Sequence, residues 1–182
     1  MRFQILSLLA IAGVTAASQW AGVENLPDGA YSGVNHPDGS TTMTSLESGE
    51  SFTFSLTDAA PKETKRSDYA ISKRDTDCWG YELDHGGVDD GFGLLKNWAG
   101  TFGRGLSSGD GTNYYGFNSR GVYVYYCINA AHSQGNLDIT DINYAALNMD
   151  STCGAYQAGY YLWNGSAELV GKARSGTAVC LG

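Results

Sequence analysis

Three scarcities divide this chain before any motif is read. Proline occurs three times (Pro27, Pro37, Pro61) and never after position 61. Cysteine occurs four times (Cys78, Cys127, Cys153, Cys180) and never before position 78. Histidine is limited to His36, His85 and His132, with no His-x-x-x-His, Cys-x-x-Cys or calcium-loop spacing, so neither a metal nor another cofactor is expected. No apolar run approaches the ~20 residues that a membrane-spanning helix requires. Positive charge is short as well: 11 Lys and Arg stand against 19 Asp and Glu, a net charge of −8. An acidic surface repels phosphate backbones and anionic lipid, which argues against nucleic acid as a partner and against stable membrane insertion.

What is present falls around one basic pair. Lys73-Arg74 stands four residues before the first cysteine, in a polar stretch that holds a second pair, Lys65-Arg66. Exposed, doubly basic segments of this kind are the substrate of kexin-type processing proteases. At the N-terminus Arg2 precedes the apolar residues 3–14, and Thr15-Ala16-Ala17 supplies small residues for a signal peptidase. The expected organisation is a signal peptide over 1–17, a propeptide over 18–74 and a mature domain over 75–182. Such a protein is secreted and extracellular, an oxidising setting in which four cysteines imply two disulfides.

The propeptide is polar, with a Ser/Thr run at 40–45 and one alternating, strand-like stretch, Ser51-Phe52-Thr53-Phe54-Ser55-Leu56. It reads either as a folding aid or cover, or as a disordered spacer with one transient strand. The mature domain carries five basic and eleven acidic residues, with ten of the chain's 12 tyrosines and three of its four tryptophans. Tyrosine at that density serves either a β-rich core or a recognition surface.

Along residues 75–182, Cys78-Trp79-Gly80-Tyr81-Glu82-Leu83 alternates as a first strand. Val88, Phe92, Leu95, Trp98 or Ala99, and Phe102 then recur at helical steps, with Asp89 and Asp90 in the first turn. Gly91, Gly93 and Gly100 each weaken that helix by ~1 kcal/mol, so it depends on its packed face. Residues 103–121 hold six glycines and no period, which predicts a long surface loop carrying Tyr114, Tyr115 and Phe117. Gly121-Val122-Tyr123-Val124-Tyr125-Tyr126-Cys127-Ile128 is β-branched and aromatic, a strand. Asp138-Ile139-Thr140-Asp141 has the form of a helix cap, followed by Ile142, Ala145 or Ala146, and Met149 on one face. Asn164-Gly165 between two apolar runs predicts a tight hairpin, and Asn164-Gly165-Ser166 is also a glycosylation sequon, modified or simply a turn. Thr177-Ala178-Val179-Cys180 reads as a final strand. These elements predict an α+β fold: a small disulfide-bridged α/β-sandwich, an antiparallel sheet with two helices on one face.

Four cysteines allow three pairings. Pairing of the terminal strands favours Cys78–Cys180, leaving Cys127–Cys153.

For chemistry, the acidic cluster Glu82, Asp84, His85, Asp89 and Asp90 is explained by a helix N-terminus without a metal. A hydrolase would use His85 and Glu82 as the proton-transfer pair, with Arg104 or Arg120 as an anion clamp, and His132 as the alternative imidazole. No Gly-x-Ser-x-Gly elbow occurs, and bridged cysteines remove a thiol nucleophile. The pattern favours binding over catalysis.

The precursor layout resembles that of small secreted fungal proteins, and residues 122–180 resemble the killer-toxin-like and necrosis-inducing-factor-like effector families. The shared features are a strand ending in Cys127, an Asp-Ile-x-Asp-Ile helix start at 138–142, Cys153 after that helix and a last strand with Cys180. The resemblance implies a compact α/β-sandwich acting outside the producing cell on a host or competitor cell-surface target, with no catalytic residues to carry over. The acidic charge departs from the basic members of such families and argues against channel action. The expected activity is that of a secreted effector or toxin-like protein acting by binding, with Tyr114, Tyr115 and Phe117 as the recognition surface. The alternatives are a secreted ribonuclease- or glycosidase-like hydrolase and a cell-wall carbohydrate-binding protein.

Overall fold

A computed structural model describes residues 19–56 and 75–182. The predicted signal peptide and the basic pairs Lys65-Arg66 and Lys73-Arg74 lie outside the described residues. The chain is α+β: one large antiparallel sheet, two helices on one face, and two disulfides.

Among the described residues, ten strands and two α-helices follow in order. The first three strands are β1 (Gly29–Asn35), β2 (Thr41–Ser45) and β3 (Ser51–Phe54). After them come β4 (Asp75–Glu82), helix α1 (His85–Ala99), β5 (Arg104–Ser107) and β6 (Thr112–Ser119). Then follow β7 (Val122–Ile128), β8 (Gln134–Leu137), helix α2 (Ile139–Cys153), β9 (Gln157–Leu162) and β10 (Glu168–Arg174). The main sheet has the order β3-β2-β1-β6-β7-β10-β9-β4, while β5 and β8 form a small ribbon of their own.

The sheet therefore does not begin at Asp75. Residues 29–54, expected as a folding aid or cover or as a disordered spacer, with one strand at 51–56, supply three of its eight strands, joined through β1 to β6. Their Ser/Thr content suits an edge. Thr42 and Thr53, and Thr44 and Ser51, pair their hydroxyls across β2 and β3 on the solvent side, while Tyr31 and Met43 point into the core.

Strand β7 shows why the sheet has two cores. All seven of its residues are buried. Val122, Val124, Tyr126 and Ile128 face the helices, and Tyr123, Tyr125 and Cys127 face the other way, as a period of two dictates. On the helix side, α1 lies over β6 and β7 and α2 over β9 and β4. Gly87 and Gly91, one turn apart, permit the close approach of α1: a Cβ at Gly91 would stand 2.5 Å from Val124 Cγ2. Helix α1 also starts three residues before the predicted face, because Asp84 caps it by accepting from the Gly87 amide at 2.8 Å. Asp89 and Asp90 consequently fall outside its first turn, and Phe102 lies beyond its end, 98% exposed. The capping box predicted for α2 is present, Asp138 accepting from Asp141 N at 2.9 Å and Asp141 accepting from Asp138 N at 3.2 Å.

The second face is covered by the two ends of the described chain. Trp20, Val23 and Leu26 enter from the N-terminal side and Ala178, Val179 and Cys180 from the C-terminal side. A row of rings runs through this layer: Trp20 stacks on Tyr114, Tyr114 meets Tyr123 edge-on, and Tyr123 stacks on Tyr125. Tyr114 and Tyr125 lie over their cross-strand neighbours Gly33 and Gly171, filling the space those glycines leave.

Both predicted disulfide pairings are corrected. The bonds are Cys78–Cys153 and Cys127–Cys180. Residues 177–180 form no edge strand; they cross the second face and bring Cys180 beneath central strand β7, at Cys127. Cys78 sits on β4, where the packing of α2 against β4 delivers Cys153 at the helix end. With sequence separations of 75 and 53, the chain-entropy model makes each worth about 4 kcal/mol. The predicted two-residue hairpin is also longer: residues 163–167 connect β9 to β10, with Asn164 exposed and Gly165 at φ 74°.

Candidate functional site

Tyr114, Tyr115 and Phe117, expected on a recognition loop, are strand residues. Residues 104–107 and 112–119 of this stretch form β5 and β6; two of its six glycines, Gly111 and Gly116, permit close backbone approach, and at Gly116 a Cβ would stand 2.4 Å from Val124 O. Tyr114 is fully buried on the second face, its hydroxyl 2.7 Å from Thr41 Oγ1. Tyr115 is buried on the helix side, stacked on Trp98 at 4.1 Å, with Phe117 edge-on to it. Tyr114 and Tyr115 are core and Phe117 is half-buried against it, so the three do not form an exposed surface.

The helix-covered face carries a cleft instead. A cleft of about 280 Å³ opens between α1 and α2. Val88, Asp89, Phe92, Gly93 and Lys96 form one wall, spaced by helical turns along α1. Ala146 and Asp150 of α2, with Ala155 and Tyr156 after it, form the other. Asp89 and Asp150 are exposed and Lys96 is half-buried, so the cleft presents both signs of charge above the aromatic rings of Phe92 and Tyr156.

Lys172, from β10, lies beneath these walls with a fully buried side chain. Its Nζ donates to Asp150 Oδ1 at 2.7 Å and to the Ala155 carbonyl at 2.5 Å, and it stands 5.8 Å from the centre of the Phe92 ring. A buried ammonium is tolerable only when paired and hydrogen-bonded. The bond therefore ties the end of α2 to the sheet and fixes one wall of the cleft. Sequence reading missed Lys172. Its signal was a single charge inside the apolar run Leu169-Val170-Gly171-Lys172-Ala173.

The proposed proton-transfer pair does come together. His85 Nε2 lies 2.9 Å from Glu82 Oε1, and the imidazole stacks on Tyr156 with ring centres 3.7 Å apart. Through Tyr156 the pair borders the cleft. Both side chains are open to water, 59% and 68% exposed. Arg120 lies over Gly86, the residue after His85, and holds Asp90 at 3.4 Å. Arg104 stands instead over Trp98, and His132 pairs with Asp110 on an exposed loop at 3.4 Å. Among the described residues, no group of three or more His, Cys, Asp or Glu side chains is placed to hold a metal ion.

Several phenols are strongly perturbed. Burial pushes Tyr114, Tyr123 and Tyr125 far above the ordinary tyrosine range. Burial also raises Tyr126, helped by its hydrogen bond to the Glu168 carboxylate. Burial raises Asp141 as well. These groups lie in the core and caps, not in the cleft.

No protein-family model matches the chain, and no curated protein or solved structure matches it either. Two disulfides, and no helix among the described residues long and apolar enough to cross a membrane, are compatible with an extracellular protein.

Proposed function

We propose that the protein is secreted and acts, without catalysis, by binding a host or competitor cell-surface target in the manner of an effector or toxin, and that the cleft between α1 and α2 is its binding site. The observation that carries the reading is the buried Lys172–Asp150 pair beneath the cleft. It holds a wall bearing exposed acid and aromatic surface in a fixed position, which reduces the ordering cost of binding. Rings flanked by charge suit a ligand with both apolar and polar groups, such as a short peptide segment. The test is charge reversal on the rim, Asp89→Lys with Lys96→Glu. Folding should be unchanged, and binding of the labelled protein to target cells should fall at least tenfold. Undiminished binding would remove the cleft from the proposal.

One observation favours a second reading. Glu82, His85 and Arg120 gather at the start of α1, beside the same cleft. That grouping is what a secreted hydrolase would need for proton transfer and anion binding. Turnover of RNA, glucan, chitin or protein that disappears in His85→Ala would establish it; absence of turnover leaves the binding reading in place.

A further inference from the structure

The seam between β1 and β6 divides the molecule into two parts that are joined in an unusual way. We infer that residues 19–56 are a non-covalently held subunit, not a discarded leader: once the connection between Leu56 and Asp75 is cut, they stay in the sheet, and the working protein has two chains. The inference is independent of what the cleft binds.

Four observations carry it. The seam is a full strand pairing, in register from Gly29 opposite Asn118 to Asn35 opposite Thr112. It is locked at both ends by buried amides. Asn118 donates to Leu26 O at 2.9 Å, and Asn35 donates to Val179 O at 2.9 Å and to Thr112 Oγ1 at 3.1 Å. Second, the segment inserts Trp20, 1% exposed, against Tyr114, and the Trp20 amide donates to Gly176 O at 2.8 Å. Third, the fit is specific: Tyr114 occupies the space above Gly33, where a Cβ would stand 2.1 Å from its Cζ. Fourth, no disulfide crosses the seam. Both lie within 75–182, and residues 1–77 hold no cysteine. The chain's only two basic pairs, Lys65-Arg66 and Lys73-Arg74, both fall in the 18-residue connection.

Departure of the segment would strip one edge of β6 along seven residues and uncover the ring layer of Tyr114, Tyr123 and Tyr125. Such an edge, long and backed by apolar surface, is what other chains pair with. Retention of residues 19–56 avoids that exposure, as a donor strand does when it completes another chain's sheet.

The experiment is to incubate the purified full chain with a kexin-type protease and examine the product in two ways. A non-reducing denaturing gel should show two fragments. Native size exclusion with light scattering should show one species of undiminished mass, losing the N-terminal fragment only in denaturant. A monomeric 75–182 chain eluting without its partner would overturn the inference. A second measurement covers a chain that resists the protease: residues 19–56 and 75–182 are co-secreted as separate polypeptides with a tag on the longer one. Capture of the longer chain should retain the shorter at about one to one, and its absence would again overturn the inference. Gly33→Leu in the short chain should lower its capture at least tenfold, while Val34→Leu, on the exposed side of the same strand, should not. Equal capture of the two variants would show that the seam is not where the chains are held.

Discussion

The two sides of the β1–β6 seam solve the same problem by different means. Residues 75–182 tie each outer layer to the sheet with a disulfide, α2 through Cys78–Cys153 and the C-terminal tail through Cys127–Cys180. Residues 19–56 share the second face with that tail, yet are held without a disulfide, by strand pairing, buried amides and the packing of Trp20, Val23, Leu26, Tyr31 and Met43. A disulfide acts mostly by restricting the unfolded chain, so it works within one covalent chain however the connection elsewhere is cut. Strand pairing and packing survive chain cleavage but have no such reserve. The cross-linked part is therefore built to persist, and the other part to be held by contact alone.

The largest expected effect erases this contrast. The phenols of Tyr114, Tyr123 and Tyr125 are pushed far up by burial, whereas an unfolded tyrosine ionises near pH 10. Above pH 10 the unfolded chain releases protons that the folded chain retains. Stability from these groups is thus fully present below about pH 10 and declines by about 1.4 kcal/mol per pH unit for each tyrosine above it. The layer spans the seam, so alkali should open both parts together. Tyrosinate absorbance followed against pH should rise in one steep step, coincident with loss of near-ultraviolet circular dichroism. Gradual titration of every tyrosine near pH 10, with the fold intact, would contradict the buried layer.

Next in size is Trp20→Ala, which removes a fully buried ring at a cost of about 4 kcal/mol. It should lower the melting temperature of the intact chain and release the short fragment from the cut one. Asp150→Ala acts on the other side of the seam. It leaves the Lys172 ammonium with the Ala155 carbonyl as its one remaining hydrogen bond, and because Asp150 is 41% exposed the cost should fall below that of breaking a fully buried pair, at about 2 kcal/mol. Asp150→Ala should lower the melting temperature without loosening the short fragment. Fragment release by both variants alike would mean that the two regions are one cooperative unit.

How much of this was legible in the sequence depends on how local each cause is. Strand β7 and the Asp138–Asp141 capping box are written in consecutive residues, and both were read correctly. The apolar period of α1 begins only at Val88, three residues inside the helix, because its first turn holds Gly86 and Gly87, and Gly87 is glycine for close packing against Val122 and the Ser119 carbonyl. The same use of glycine concealed β6, whose Gly116 lies against the backbone of β7. Strand β3 is legible in the alternation at Ser51–Phe54, but β1 and β2 are not, because strands near a sheet edge show polar residues to solvent and Ser/Thr runs look like linkers. Cysteine pairing and the cleft were illegible for another reason: Cys127 meets Cys180, and Lys172 meets Asp150, only after the elements between them have packed. The residues Glu82 and His85, three apart, were near enough for their contact to be anticipated.

The smallest expected effect turns the comparison inward, to the two faces of α1. Gly91 faces the sheet and Gly93 the cleft, where nothing stands within 4 Å of an added Cβ. Alanine is better than glycine in a helix interior by about 1 kcal/mol, so Gly93→Ala should stabilise the protein by that amount. For a chain of this size the melting temperature should rise by about 2–4 °C. Gly91→Ala gains the same propensity but forces a methyl to within 2.5 Å of Val124 Cγ2. Overpacking of that kind costs about 1–3 kcal/mol, which offsets or exceeds the gain, and the melting temperature should fall or stay level. Differential scanning calorimetry of the two variants decides the matter. A rise for Gly91→Ala equal to that for Gly93→Ala would mean that α1 does not sit as close to β7 as described.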